Sequence, residues 1–311
     1  MEETLTRRPQ VILIGNGLIR SFGDSPTSWT DLLENLTTEK YKGKINPNGL
    51  PNTLQIILRT EGNVNNALDE HKEELKGNPV TPELHSRIDA IRKMNPDHIL
   101  TTNYSYEIEC ALAGQKTLSD AKIARLQRHT SEVKKCEPQY MIHSYNEAAS
   151  IPVWHIHGEA RKPKSIIVGH YWYGTLLTNY KKIMEDRKDR YAKDAENGIF
   201  TIKSWLDAFI MGDVYVLGFG CDVSELDLWW LLNRKLYEKS KSKGRMYFYS
   251  NQDDGSFDEK EELLKVCGAE VIHCSRLKMP ETLSDSKYRD YADAAIMDIA
   301  ERIKHADILH T

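Results

Sequence analysis

Five places in the chain set a polar residue or a glycine directly after an apolar run, and each suits a particular piece of chemistry. The first is Gly15-Asn16-Gly17 after VILI, with Arg20 close behind. Two glycines let backbone N–H groups approach a pyrophosphate near a helix start, and an arginine adds a charge-assisted contact. A plain strand–helix turn that needs positive φ has the same look. The run is not G-x-G-x-x-G, because Arg20 stands where the third glycine belongs. The second place is Thr102-Asn103, where an amide that both donates and accepts can position a water or ribose hydroxyls. The third is VWHIHG, with His155 and His157 two residues apart. An imidazole titrates near neutral pH and serves as a general base. Strand alternation puts both histidines on one side, and His157, nearer the strand's end, is favoured over His155. The fourth is Gly218 to Asp222, reading GFGCD, which suits either a ribose contact or the cap of the next helix. The fifth is Asn251 after YFYS, a turn residue or a second ribose contact.

Those residues need a frame that brings strand ends together, and the apolar pattern supplies one. VILIGNG (11–17), DHILTTN (97–103), VWHIHG (153–158), DVYVLGFG (213–220), RMYFYSN (245–251) and AEVIHCS (269–275) read as strands. Helices are expected at 25–36, capped by Thr27 or Ser28, and at 54–77, 82–94, 104–112, 179–198, 200–212, 224–241 with Ser224 as cap, and 288–306. Strands alternating with helices predict an α/β fold, a doubly wound, mostly parallel Rossmann-like sheet with a helical subdomain inserted between strands. Ligands of such sheets sit at the carboxyl ends of the strands, where the five places above fall. The expected organisation is one domain over 1–311. Its sheet core covers about 9–60, 95–104, 151–170 and 212–311, and its helical parts about 54–94, 104–150 and 170–212.

Composition removes several function classes. Hydrophobic residues at 40% and charged residues at 28% describe a folded globular chain, not a disordered one. No apolar run approaches the roughly 20 residues that span a bilayer, and the N-terminus has no apolar signal core, so a cytoplasmic protein is expected. A net charge of −4 gives no reason to expect nucleic acid as the main partner. Five scattered cysteines, without a C-x-x-C pair, predict reduced thiols and no zinc ribbon, and nothing completes a metal site around the two histidines. No metal is therefore expected.

The order of these motifs resembles the sirtuin family. Sirtuins carry a glycine-rich loop, a T-Q-N-I-D segment, an H-G segment with the catalytic histidine, a later glycine-rich turn and an Asn after a strand. Here Gly15 to Gly17 take the place of the first, Thr102, Asn103 and Tyr104 match the second, and His157-Gly158 the third. Gly218, Gly220 and Asp222 match the fourth, Asn251 the fifth, and Gly268 and Ala269 lie where the adenine-side loop falls. Ser105 stands where the family usually has the Asp that helps hold nicotinamide, with Glu107 and Glu109 nearby. Sirtuin deacylases carry a four-cysteine zinc ribbon and an S-G-I-P-D-F-R loop; this chain has neither and reads F-G-D-S-P-T-S-W in the loop. In both respects it looks like the sirtuin-like NAD hydrolases of bacterial anti-phage defence.

That resemblance implies an NAD glycohydrolase, releasing nicotinamide and ADP-ribose, as the regulated effector of an abortive-infection system. It implies Asn103 and His157 as catalytic residues. It implies NAD contacts from Gly15, Asn16, Gly17, Arg20, Thr102, Ser105, Gly218, Gly220, Asp222, Asn251 and Ala269. A separate sensor subunit is expected, such as the nucleotide-sensing pyrophosphatase-like protein of a KongMing-type system, or self-assembly. Two other readings stand beside this one: a deacylase or ADP-ribosyltransferase, and a non-catalytic subunit that binds NAD or ADP-ribose.

Overall fold

The computed structural model describes residues 3–23, 29–36, 39–41, 43–44, 70, 75–129, 143–145, 151–162, 165–167, 170–222, 224–238, 242–252 and 258–308. Its strands are β1 (Glu3–Leu5), β2 (Gln10–Ile14), β3 (His98–Thr101), β4 (Gln127–His129), β5 (His143–Tyr145), β6 (Val153–His155), β7 (Phe200–Ile202), β8 (Asp213–Leu217), β9 (Met246–Ser250) and β10 (Glu270–His273). Its helices are α1 (Asn16–Phe22), α2 (Trp29–Leu36), α3 (Pro82–Lys93), α4 (Glu107–Leu112), α5 (Asp120–Leu126), α6 (His170–Glu196), α7 (Trp205–Met211), α8 (Leu226–Tyr237), α9 (Glu259–Val266) and α10 (Lys287–Ile308).

Eight strands form one sheet in the order β10-β9-β8-β2-β3-β6-β5-β4. The six from β10 to β6 are parallel, and β5 and β4 extend the edge antiparallel. Alternate residues of each parallel strand feed opposite faces, as a period of two requires. Ile12, Ile14, Ile99, Tyr215 and Leu217 join a core that includes residues of α1, α3, α4 and α10. Val11, Leu13, Leu100, Val214 and Val216 join a second core with α6, α7 and α8. Burial on both faces explains the unbroken apolar runs. The chain leaves β2 towards β3 and β6, then returns on the other side through β8, β9 and β10. The direction of winding reverses between β2 and β8, which is where a doubly wound sheet opens a crevice.

Several expected elements differ. The segment 104–150 is not helical throughout: beside α4 and α5 it supplies β4 and β5, two three-residue strands without apolar alternation. The segment 200–212 is not one helix. Phe200–Ile202 pairs antiparallel with Glu3–Leu5, and α7 begins only where Ser204 and Asp207 form a capping box. Helix α6 runs 27 residues from His170, starting nine residues before the helix expected at 179–198. The cap of α8 is Glu225, not Ser224. Helix α3 is capped by Thr81, with Pro82 at its first position. The proposed caps Thr27 and Ser28, and most of the helix expected at 54–77, lie outside the described residues.

Candidate active site

The crevice between β2 and β8 opens into a cleft of about 750 Å³ along the carboxyl ends of the parallel strands. Its floor is backbone packed on backbone. Gly15 donates its N–H to the Leu217 carbonyl at 2.9 Å, and Gly17 donates to the Gly218 carbonyl at 2.7 Å. A Cβ on Gly15 would lie 2.5 Å from that same carbonyl oxygen. Gly218 has φ +64, and a Cβ there would lie 2.4 Å from the Leu18 nitrogen. The glycines are therefore required by contact between two loops. Both N–H groups expected to face a pyrophosphate are already used, and Gly15 does not line the cleft. Asn16, Gly17, Arg20, Gly218, Gly220 and Asp222 do line it.

Asn103 is held by the backbone. Its N–H donates to the Thr101 hydroxyl at 3.1 Å, and its carbonyl accepts from His155 Nδ1 at 2.8 Å. The side chain lines the cleft beside Thr102 and Ser105, and its buried Nδ2 has no hydrogen-bond partner. Nine-tenths of that residue is out of water, so an unpaired amide nitrogen there is costly unless a ligand completes it.

The two histidines do not share a side. Strand β6 ends at His155, and the chain turns before His157. Gly158 makes the turn with φ +92, since a Cβ there would meet the Ser165 carbonyl at 2.2 Å. His155 is fully buried and faces away from the cleft, with Nε2 at 2.5 Å from Glu109 Oε1. A carbonyl and a carboxylate only accept, so both ring nitrogens carry protons. Burial opposes that charge, but Glu109 outweighs it and raises the pKa. His155 thus secures Asn103 from behind.

His157 lines the cleft with 3% of its surface exposed. Its Nε2 lies 3.2 and 3.1 Å from the two Asp227 oxygens, and its Nδ1 lies 3.6 Å from Glu225 Oε2. Tyr173 stands edge-on to the imidazole at 5.9 Å and donates its hydroxyl to Glu225 at 2.9 Å. Burial again opposes the charge, yet Asp227 and Glu225 push the His157 pKa up to about 9. The two carboxylates favour the imidazolium, which has no lone pair to offer, over the neutral imidazole that the expected role of general base requires. Burial also holds the Glu225 carboxyl above its usual range, although His157 draws it down.

His157, Glu225 and Asp227 are the three acid or imidazole side chains, among the described residues, that bring one ligand atom each within 4.8 Å of the others. A cation could take the place of one imidazole proton, bound through that one ring nitrogen and the carboxylates; with both protons in place the trio is an ion-pair cluster.

At the far end, Asn251 follows β9, as expected. Ser250 donates to Glu261, and Lys260, Glu261 and the half-exposed Tyr288 complete that wall. Ala269 is not in the cleft. It directly precedes β10, at the amino ends of the strands, packed in the core with its N–H donating to the Leu264 carbonyl. Glu107 turns towards the cleft and accepts from the Asn78 N–H at 3.1 Å, whereas Glu109 turns to His155. Glu225, Asp227, Tyr173, Glu261 and Tyr288 were absent from the sequence reading. The E-L-D step just after GFGCD was the available signal, two acids at the mouth of a helix that follows a strand end.

The profile of a family described as "SIR2-like domain" matches residues 97–272. No curated protein matches the chain.

Proposed function

Because the chain belongs to the SIR2-like domain family, a family of NAD-dependent enzymes, we propose that it hydrolyses NAD to nicotinamide and ADP-ribose. The observation that carries this reading is the Asn103 amide, unpaired at Nδ2 inside a cleft at the sheet's switch point. The cleft's volume falls in the roughly 300–1,000 Å³ range of small-molecule sites. Glu261, Ser250 and Asn251 suit the hydroxyls of an adenosine ribose, with Tyr288 offering a ring to adenine. Arg20 and Lys260 suit the phosphates.

At the other end, nicotinamide is already a cationic leaving group, so the glycosidic bond breaks without a strong acid. Its electron pair passes to the ring nitrogen, and positive charge builds at C1′ of the ribose. An ionised Glu225 and Asp227 with a charged His157 sum to one negative charge, aimed where a cation develops. Asn103 would hold the ribose hydroxyls or the attacking water, and Glu107 with Ser105 would face the carboxamide. A role as the regulated effector of anti-phage defence, activated by a separate sensor subunit or by assembly, follows from the family resemblance set out above.

The test is to incubate the pure chain with NAD from nanomolar to micromolar enzyme, alone and with the product of the neighbouring gene, and to separate the products by chromatography. Nicotinamide and ADP-ribose should appear in equal amounts without an acylated peptide, and faster with the partner. Turnover only when an acceptor is added would refute hydrolysis.

A further inference from the structure

Two carboxylates face the same imidazole, and their surroundings differ. Asp227 sits in the first turn of α8 with no exposed side-chain surface, and it does not line the cleft. Glu225, at the mouth of the same helix, lines the cleft and keeps 18% of its side chain exposed. One carboxylate is sealed behind His157 and the other opens onto the space in which Asn103 stands. The titratable groups that bear on Glu225 include His157 after β6, Tyr173 on α6, Asp227 on α8 and Asp222 after β8. His157 offers it a positive charge at 3.6 Å and Tyr173 a hydroxyl at 2.9 Å, so the carboxylate is held in place while remaining open on one side.

We propose that Glu225 is the catalytic carboxylate of this site: it takes the proton of the attacking water, while Asp227 acts as a positioning residue that fixes His157 behind it. The inference rests on the NAD-hydrolysis reading and names the base which that reading leaves open. In the step, the C1′–nitrogen bond breaks with its electron pair going to nicotinamide. The water oxygen bonds to C1′, and one water proton passes to a Glu225 oxygen and then to solvent. The balance is NAD plus water giving ADP-ribose, nicotinamide and one proton.

Glu225→Gln keeps the volume and a carbonyl acceptor for Tyr173 but cannot take a proton. Nicotinamide release should fall by about 10²–10⁴, the usual contribution of general-base help, with NAD binding by calorimetry within about threefold of wild type. Glu225→Ala with added azide is the second arm. Azide is an anion that attacks C1′ without giving up a proton, so it should restore nicotinamide release and yield azido-ADP-ribose, which a merely structural role would not allow. Release by Glu225→Gln within about threefold of wild type would overturn the inference and leave NAD hydrolysis standing. So would an equal loss of binding and turnover, or a wild-type activity that chelation abolishes and a divalent cation restores, since the trio would then serve a metal. If wild type binds NAD but releases nicotinamide neither alone nor with partner, the function falls first and the inference with it.

Discussion

Raising the pH from about 6.5 to 9.5 is expected to remove about 3 kcal/mol of folding stability through His157 alone. In the unfolded chain an imidazole titrates near ~6.5. In the fold, buried between Asp227 and Glu225, it titrates at about 9. A pKa raised by folding contributes stability that is complete below the unfolded value and lost as pH rises through the folded one. The gap of roughly 2.5 pH units, at about 1.4 kcal/mol each, gives the magnitude. Lys235 works against it. Burial lowers that ammonium to about 7, so its contribution improves over the same range. His155 adds to the loss with the same sign as His157. The informative quantity is therefore the difference between wild type and His157→Gln, in which Lys235 and His155 largely cancel. Urea unfolding at fixed ionic strength and four pH values supplies it. The difference should shrink by about 3 kcal/mol between pH 6.5 and 9.5. A difference constant within about 0.5 kcal/mol would refute the charged-histidine account and restore His157 as a neutral candidate base.

Two further outcomes follow from the site's supports. Gly218→Ala places a side chain at φ +64 and against Leu18, so it should cost at least about 1–3 kcal/mol in a denaturant titration and weaken NAD binding. Glu109→Ala strips His155 of its buried partner and should destabilise the fold by about 3–5 kcal/mol, while the folded remainder loses turnover because Asn103 is no longer secured. Full activity in that variant, read as nicotinamide release per folded molecule, would remove His155 and Glu109 from the support of Asn103.

The inner parallel strands were legible because they are buried on both faces and read as short apolar runs closed by glycine or a polar residue; the edge strand β10 is only partly buried. β4 and β5 were not, since QRH and HSY carry no alternation and depend on pairing with β6. Phe200–Ile202 was hidden by the amphipathic run that follows it; pairing with Glu3–Leu5, nearly 200 residues away, decides its state. In the site, motif order located Asn103, His157, the Gly218 turn and Asn251, all of which line the cleft. It could not show the charge on His157, which depends on neighbours, since Glu225 and Asp227 lie about 70 residues on. Ala269 was placed by order alone, which does not tell which end of β10 it adjoins.

The interlocked glycines have a consequence for how this protein can be divided. The recognisable family segment spans 97–272, but the strand at the middle of the sheet comes from residues 10–14. A fragment cut to the recognisable segment would lose the neighbour that β3 and β8 share. The sheet would part into β10-β9-β8 on one side and β3-β6-β5-β4 on the other, with Gly218 facing nothing. It would also lose α10, which covers one face and packs on α3. By these contacts the portion that folds together is longer than the portion that can be recognised, and includes at least the strand before Gly15 and the last helix.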